Sequence, residues 1–105
     1  MATATLNGAV IGDEAAFHAA CQAELGFPAG YGATIDAWVD CLSYLRDDEN
    51  MTRFKLKPNE VLEIVITDAQ KIPADLLEEI NYCVGGINER YEDYGEKPAL
   101  KLTLR

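Results

Sequence analysis

The chain has 105 residues, 49% hydrophobic and 26% charged, which suits one folded domain over 1–105 and leaves too little chain for two. Eighteen Asp and Glu stand against nine Lys and Arg, a formal net charge of −9 that argues against direct binding to nucleic acid or an anionic membrane and for a basic partner. Residues 1–45 carry Asp13, Glu14, Glu24, Asp36 and Asp40 with no Lys or Arg, and every basic residue lies at Arg46 or beyond.

The opening "MATATLNGAV" has neither a basic start nor a long apolar run, so it does not read as a secretory signal. No later segment approaches the roughly 20 apolar residues of a membrane span. The expected location is the cytoplasm. Thr3–Ile11 predicts a first strand, bent or ended by Gly8. "GDEAAFHAACQAELG" predicts a helix, with acidic residues at its start, Phe17, Cys21 and Leu25 on one face, and Gly26 as a stop. His18 sits among its alanines with no catalytic partner nearby in sequence and reads as a structural or surface residue.

The loop "FPAGYG" precedes Thr34, an N-cap for a second helix running to about Arg46. On a helical period Ile35, Trp38, Val39, Leu42 and Leu45 form an apolar stripe facing the sheet, and Asp36, Asp40, Ser43 and Asp47 a polar stripe beside it. "RDDENMTRFKLKPNE" is a long polar connection whose "TRFKLK" alternates like a short extra strand. "EVLEIVIT" is nearly continuous and β-branched, the pattern of a strand buried on both faces of a parallel sheet.

Pro73 suits the first turn of a last helix, carried by Leu76, Leu77, Ile80, Val84, Ile87 and Tyr91 to a stop near Gly95. Its interior Gly85-Gly86 costs about 1 kcal/mol per residue against alanine and suggests a kink or a close helix contact. "ALKLTLR" alternates as a closing strand, with Leu100, Leu102 and Leu104 on one face. Cys21, Cys41 and Cys83 show no CxxC pattern and fall in helical segments, as small buried thiols do. Strands separated by helices predict an α/β fold: a small three-stranded parallel sheet packed with about four helices and joined by right-handed crossovers.

No glycine-rich phosphate loop, GxSxG or HExxH occurs, so no enzyme chemistry and no cofactor are expected. The uncommon feature is Asp36 and Asp40, four residues apart on one helix without a cationic neighbour in sequence. Such a pair repels mildly. Three readings are open: a divalent-metal site, for which two carboxylates are a poor cage; a solvated helix face; and a recognition surface whose counter-charge comes from another molecule. Asp36, in the first turn, is eased by the helix dipole, and Asp40 is not.

"FPAGYGATIDAWVDCL" is similar to the signature of the barstar family of ribonuclease inhibitors: a proline and aromatic-glycine loop, then a helix bearing Asp, Ala, an aromatic, Asp, Cys and Leu. The resemblance extends more weakly over the whole chain. It implies a non-enzymatic inhibitor, an immunity protein or antitoxin, whose loop and second helix plug the active site of a basic ribonuclease, with carboxylates in place of substrate phosphates. By that resemblance Asp40 is the main anchor, Asp36 its companion, Tyr31 and Gly32 the loop, and Ser43, followed by Tyr44, the small hydroxyl a turn later. Thr34 stands where an asparagine is typical, and Glu92, or Glu89, matches a glutamate of the last long helix. The sequence departs from the family pattern at Gly30, where a second aromatic is common, and at Trp38-Val39, where the aromatic comes one position early. Trp38 is therefore either core or interface. The free protein is expected to be a monomer. The competing expectations are a barstar-like interaction module with a non-nuclease partner and a carboxylate-dependent metal hydrolase.

Overall fold

The computed structural model describes residues 2–105. Three strands, β1 (Ala2–Asn7), β2 (Leu62–Thr67) and β3 (Leu100–Leu104), alternate with three α-helices, α1 (Glu14–Leu25), α2 (Ile35–Leu42) and α3 (Ala74–Asp93), in the order β1-α1-α2-β2-α3-β3. Short 3-10 turns cover Gly8–Val10 and Ala69–Lys71. The α/β architecture is the expected one, with three α-helices rather than about four.

β2 lies between β1 and β3 and runs parallel to both, with Ala4 opposite Ile64 and Ile64 opposite Leu102. Both crossovers step the same way across the sheet, so right-handed connections put all three helices on one face. Burial follows: Ala4, Leu6, Leu62, Ile64, Ile66 and Leu100 are in the core, while Thr3, Thr5 and Lys101, on the other face, are exposed. β2 is therefore roofed by helices on one side only, not on both. Val65, on the open side, is buried by its strand neighbours Thr5 and Thr103.

β1 stops at Asn7 rather than Ile11, because Gly8 packs against the end of β2. A Cβ there would lie 2.5 Å from the Thr67 carbonyl oxygen, so the chain turns where only glycine fits. α1 begins at its N-cap Asp13, whose carboxylate accepts from the Ala16 N–H at 2.8 Å, and ends at Gly26 in the left-handed region.

"TRFKLK" forms no strand, since its donors go to the end of α1 and to the turn that follows α2. Arg53 N–H donates to the Leu25 carbonyl at 2.9 Å and its Nε to the Glu24 carbonyl at 2.6 Å, while Leu56 N–H donates to the Leu45 carbonyl at 2.7 Å. The connection is thus tied to the C-terminal end of α1 and to the turn after α2.

Pro73 is the N-cap of α3 rather than a first-turn residue. α3 runs unbroken through Gly85 and Gly86, and a Cβ at either position would meet nothing within 4 Å, so the expected close helix contact is absent. Asn88 holds α3 to β3: its side-chain oxygen accepts from Ala99 and Leu100 N–H at 3.0 and 2.9 Å, and its amide donates to the Leu100 carbonyl at 3.0 Å. The closing strand empties outward, with Leu100 buried, Leu102 half-buried and Leu104 exposed.

Candidate protein-binding site

α2 starts at Thr34, whose hydroxyl accepts from the Ala37 N–H at 3.1 Å. It ends at Leu42, a turn before the expected Arg46, because Tyr91 of α3 takes over the backbone: its hydroxyl donates to the Leu42 carbonyl and accepts from the Leu45 N–H, both at 3.0 Å. Ser43 also donates to the Val39 carbonyl at 2.7 Å. Asp47 consequently leaves the helical polar stripe. The buried side of α2 is Trp38, Cys41 and Leu42, whereas Ile35 and Val39 are half-buried at the seam with α3 and are not turned to the sheet as expected. Trp38 is 1% exposed and packs on Phe17 with ring centroids 5.6 Å apart, so it belongs to the core.

Asp36 and Asp40 lie on the outward side of α2 and border a groove of about 570 Å³ shared with α3. Across it stand Glu79, Tyr82, Cys83 and Arg90. Arg90 supplies the cation that the sequence around Asp40 lacks, with Nη1 3.6 Å from the Asp40 carboxylate and 3.3 Å from Ser43 Oγ. The pair is open to water, at 53% and 64% side-chain exposure, and is correspondingly weak. Cys83 is buried on the groove floor; burial raises its thiol above the ordinary value, and the negative charges of Glu79 and Asp36 add to the shift. A thiol held protonated in this way is a poor nucleophile.

Past Arg90 the groove continues into a second hollow of about 540 Å³ between the ends of α2 and α3, bordered by Ser43, Tyr44, Asp47 and Tyr94. Its wall is fixed by Arg46, whose side chain is 6% exposed. The Arg46 guanidinium donates to the carbonyls of Glu60, Lys97 and Pro98 at 2.9, 2.6 and 3.2 Å, pairs with Glu96 at 3.4 Å and lies 5.2 Å from the Tyr91 ring centroid.

The remaining candidates separate. Gly32 takes a positive φ of 82°, which explains the glycine. Tyr31 is turned inward: it is 5% exposed, its hydroxyl bonds to His18 Nδ1 and its ring packs on Phe27. The loop therefore offers backbone, and no aromatic side chain, to a partner. Glu92 is two residues past Arg90, about 200° around the helix, on the side of Asn88 and β3. Glu89 is turned about 100° from Arg90 and borders neither hollow. The carboxylate that faces Asp36 and Asp40 is Glu79. The sequence pattern did not single out Glu79, Tyr82 or Arg90, although all lie on one flank of the buried stripe Ile80, Cys83, Ile87 and Tyr91.

His18 is buried, the structural alternative of the two expected, and burial lowers its pKa against the opposing pull of Glu14, 3.7 Å from Nε2. Burial likewise raises the Tyr31 phenol, which stays protonated and donates. The histidine proton then sits on Nε2, toward Glu14. Cys21, Cys41 and Cys83 are all buried and free. Among the described residues no group of three or more His, Cys, Asp or Glu is placed to hold a metal ion, and no helix is long and apolar enough to cross a membrane.

The architecture is a small α/β domain, a sheet covered by helices on one face, with the carboxylates of Asp36, Asp40 and Glu79 exposed along the seam between α2 and α3. The chain belongs to the barstar family: the family model described as Barstar (barnase inhibitor) matches residues 1–103. No curated protein matches the chain.

Proposed function

We propose that this protein inhibits a basic ribonuclease by laying the α2 carboxylates in the enzyme's active-site cleft. The observation that carries the reading is the placement of Asp36 and Asp40 together on the outward side of α2, with Ser43 just past its end, in a chain of the barstar family. The net charge of −9 favours encounter with a cationic enzyme. Carboxylates set four residues apart meet the arginine, lysine and histidine side chains that such an enzyme directs at a phosphodiester. The ribonuclease is a toxin of the same cell or of a competitor, met in the cytoplasm, and the inhibitor acts as a monomer without metal, cofactor or reaction of its own.

The test is an RNA-cleavage assay with barnase and with other basic microbial ribonucleases, titrated with this protein. Inhibition at a 1:1 ratio is expected. Asp40→Ala should raise the inhibition constant by at least about 30-fold, the threshold of an interface hot spot. The melting temperature of that variant should stay within a few degrees, since the Asp40 side chain is 64% exposed. Undiminished inhibition by Asp40→Ala would remove it as the anchor.

A second reading, an interaction module with a non-nuclease partner, is favoured by the inward turn of Tyr31, which leaves the loop without an exposed aromatic. Affinity capture that recovers a basic nuclease supports inhibition, and recovery of a different complex supports the module.

A further inference from the structure

Among the described residues the exposed aromatic side chains are Tyr44, Tyr82 and Tyr94, at 42%, 81% and 84% exposure. A single exposed tyrosine needs no explanation. Here all three border the two hollows along the α2–α3 seam: Tyr82 beside Asp36 and Asp40, and Tyr44 and Tyr94 in the adjoining one. Tyr82 and Tyr94 are about 18 Å apart along α3, within the span of an ordinary protein interface. Between them Gly86, in line with Tyr82 and Arg90, carries no side chain, and a Cβ there would meet nothing within 4 Å, so the helix backbone is open to close approach on that side. Arg90 borders both hollows and holds Asp40 through a weak, exposed pair.

We infer that the docking surface of this protein is the α2–α3 seam, with Tyr82 and Tyr94 as aromatic anchors and Arg90 as the resident counter-ion of Asp40, which a cationic side chain of a basic partner protein replaces. This rests on the reading above that the partner is a basic protein, and it moves half of the surface from the Gly30–Gly32 loop to α3. The occupant follows from charge: Asp36, Asp40 and Glu79 border the groove, and the exposed Tyr82 beside them is an aromatic on which a guanidinium can stack.

Two measurements test this. The first titrates isotope-labelled protein with a hexa-arginine peptide and maps the backbone amide shifts. Shifts centred on Asp36, Asp40, Glu79, Tyr82 and Arg90 support the seam, and Arg90→Gln should tighten the peptide about threefold by freeing Asp40. Shifts centred on Gly30–Gly32, or an Arg90→Gln variant with equal or weaker affinity, overturn it. The second measures barnase affinity. Tyr82→Ala and Tyr94→Ala should each weaken it at least about tenfold, with Glu92→Ala within about twofold of wild type. Wild-type binding with unaffected tyrosine variants overturns the seam and leaves the inhibitor reading standing. Failure of the wild type to bind barnase or any other basic ribonuclease overturns that reading, and the peptide map then decides the seam by itself.

Discussion

The bond between Tyr31 and His18 fixes the loop that leads into α2, and it works only while the imidazole is neutral, because Nδ1 must accept the phenol proton. Burial lowers the His18 pKa in the fold, with Glu14 and Glu79 pulling the other way. Above the unfolded value of about 6.5 the ring is neutral in both states and the bond is fully available. As pH falls below that value the unfolded chain takes up a proton that the folded chain refuses, and stability drops by up to about 1.4 kcal/mol per pH unit until the folded pKa is reached. Thermal unfolding followed from pH 7.5 to 5 should show this loss. His18→Asn, which keeps an acceptor near the Nδ1 position and cannot ionise, should flatten it; an equally steep profile in that variant would exclude His18 as the source. The residue types at this bond were readable in the sequence, yet their meeting was not, because after α1 ends at Leu25 the chain folds back through a loop with no periodic pattern.

Glycine in an exposed helix interior costs about 1 kcal/mol against alanine, and α3 carries two. No neighbour fills the space at either position, so Gly85→Ala and Gly86→Ala should each raise stability by about that amount, a gain of roughly 4–8 °C in a domain of this size. Chemical denaturation checks the first expectation. The barnase or peptide titration checks a second: Gly86→Ala, in line with Tyr82 and Arg90, should stabilise the free protein and weaken its complex. The elements themselves were legible from periodicity and caps, as α1 shows between Asp13 and Gly26. What failed was set by distant partners. The tyrosine hydroxyl of residue 91 shortens α2, and the carbonyls of Glu24 and Leu25 claim the segment that alternates like a strand. Likewise a helix with one buried stripe has two flanks, and the sequence does not mark which flank abuts α2. For that reason the sequence pointed to Glu92 or Glu89 on this helix, whereas the glutamate that faces Asp36 and Asp40 is Glu79.

At the scale of the molecule the charge pattern was readable from the start and has a kinetic consequence. The first 45 residues contribute five carboxylates and no lysine or arginine, and they include both the loop and α2, so Asp36 and Asp40 belong to a one-signed half of the chain. Fields of this kind act over about 10 Å at 0.1 M salt and collapse to about 3 Å at 1 M. They accelerate encounter and contribute little once the partners have docked. The association rate with a basic ribonuclease should therefore fall about 10- to 100-fold between 20 mM and 500 mM salt, while the dissociation rate changes much less. Asp13→Asn and Glu24→Gln, outside the seam, should slow association slightly at low salt, converge with wild type at high salt and leave dissociation unchanged. Asp40→Ala should act mainly on dissociation, because a charge pair removed from within the interface weakens the docked complex rather than the encounter. Stopped-flow association across this salt range separates the two effects. An association rate indifferent to salt would mean that the acidic half of the chain does not steer, and that the seam binds by shape and aromatic packing alone.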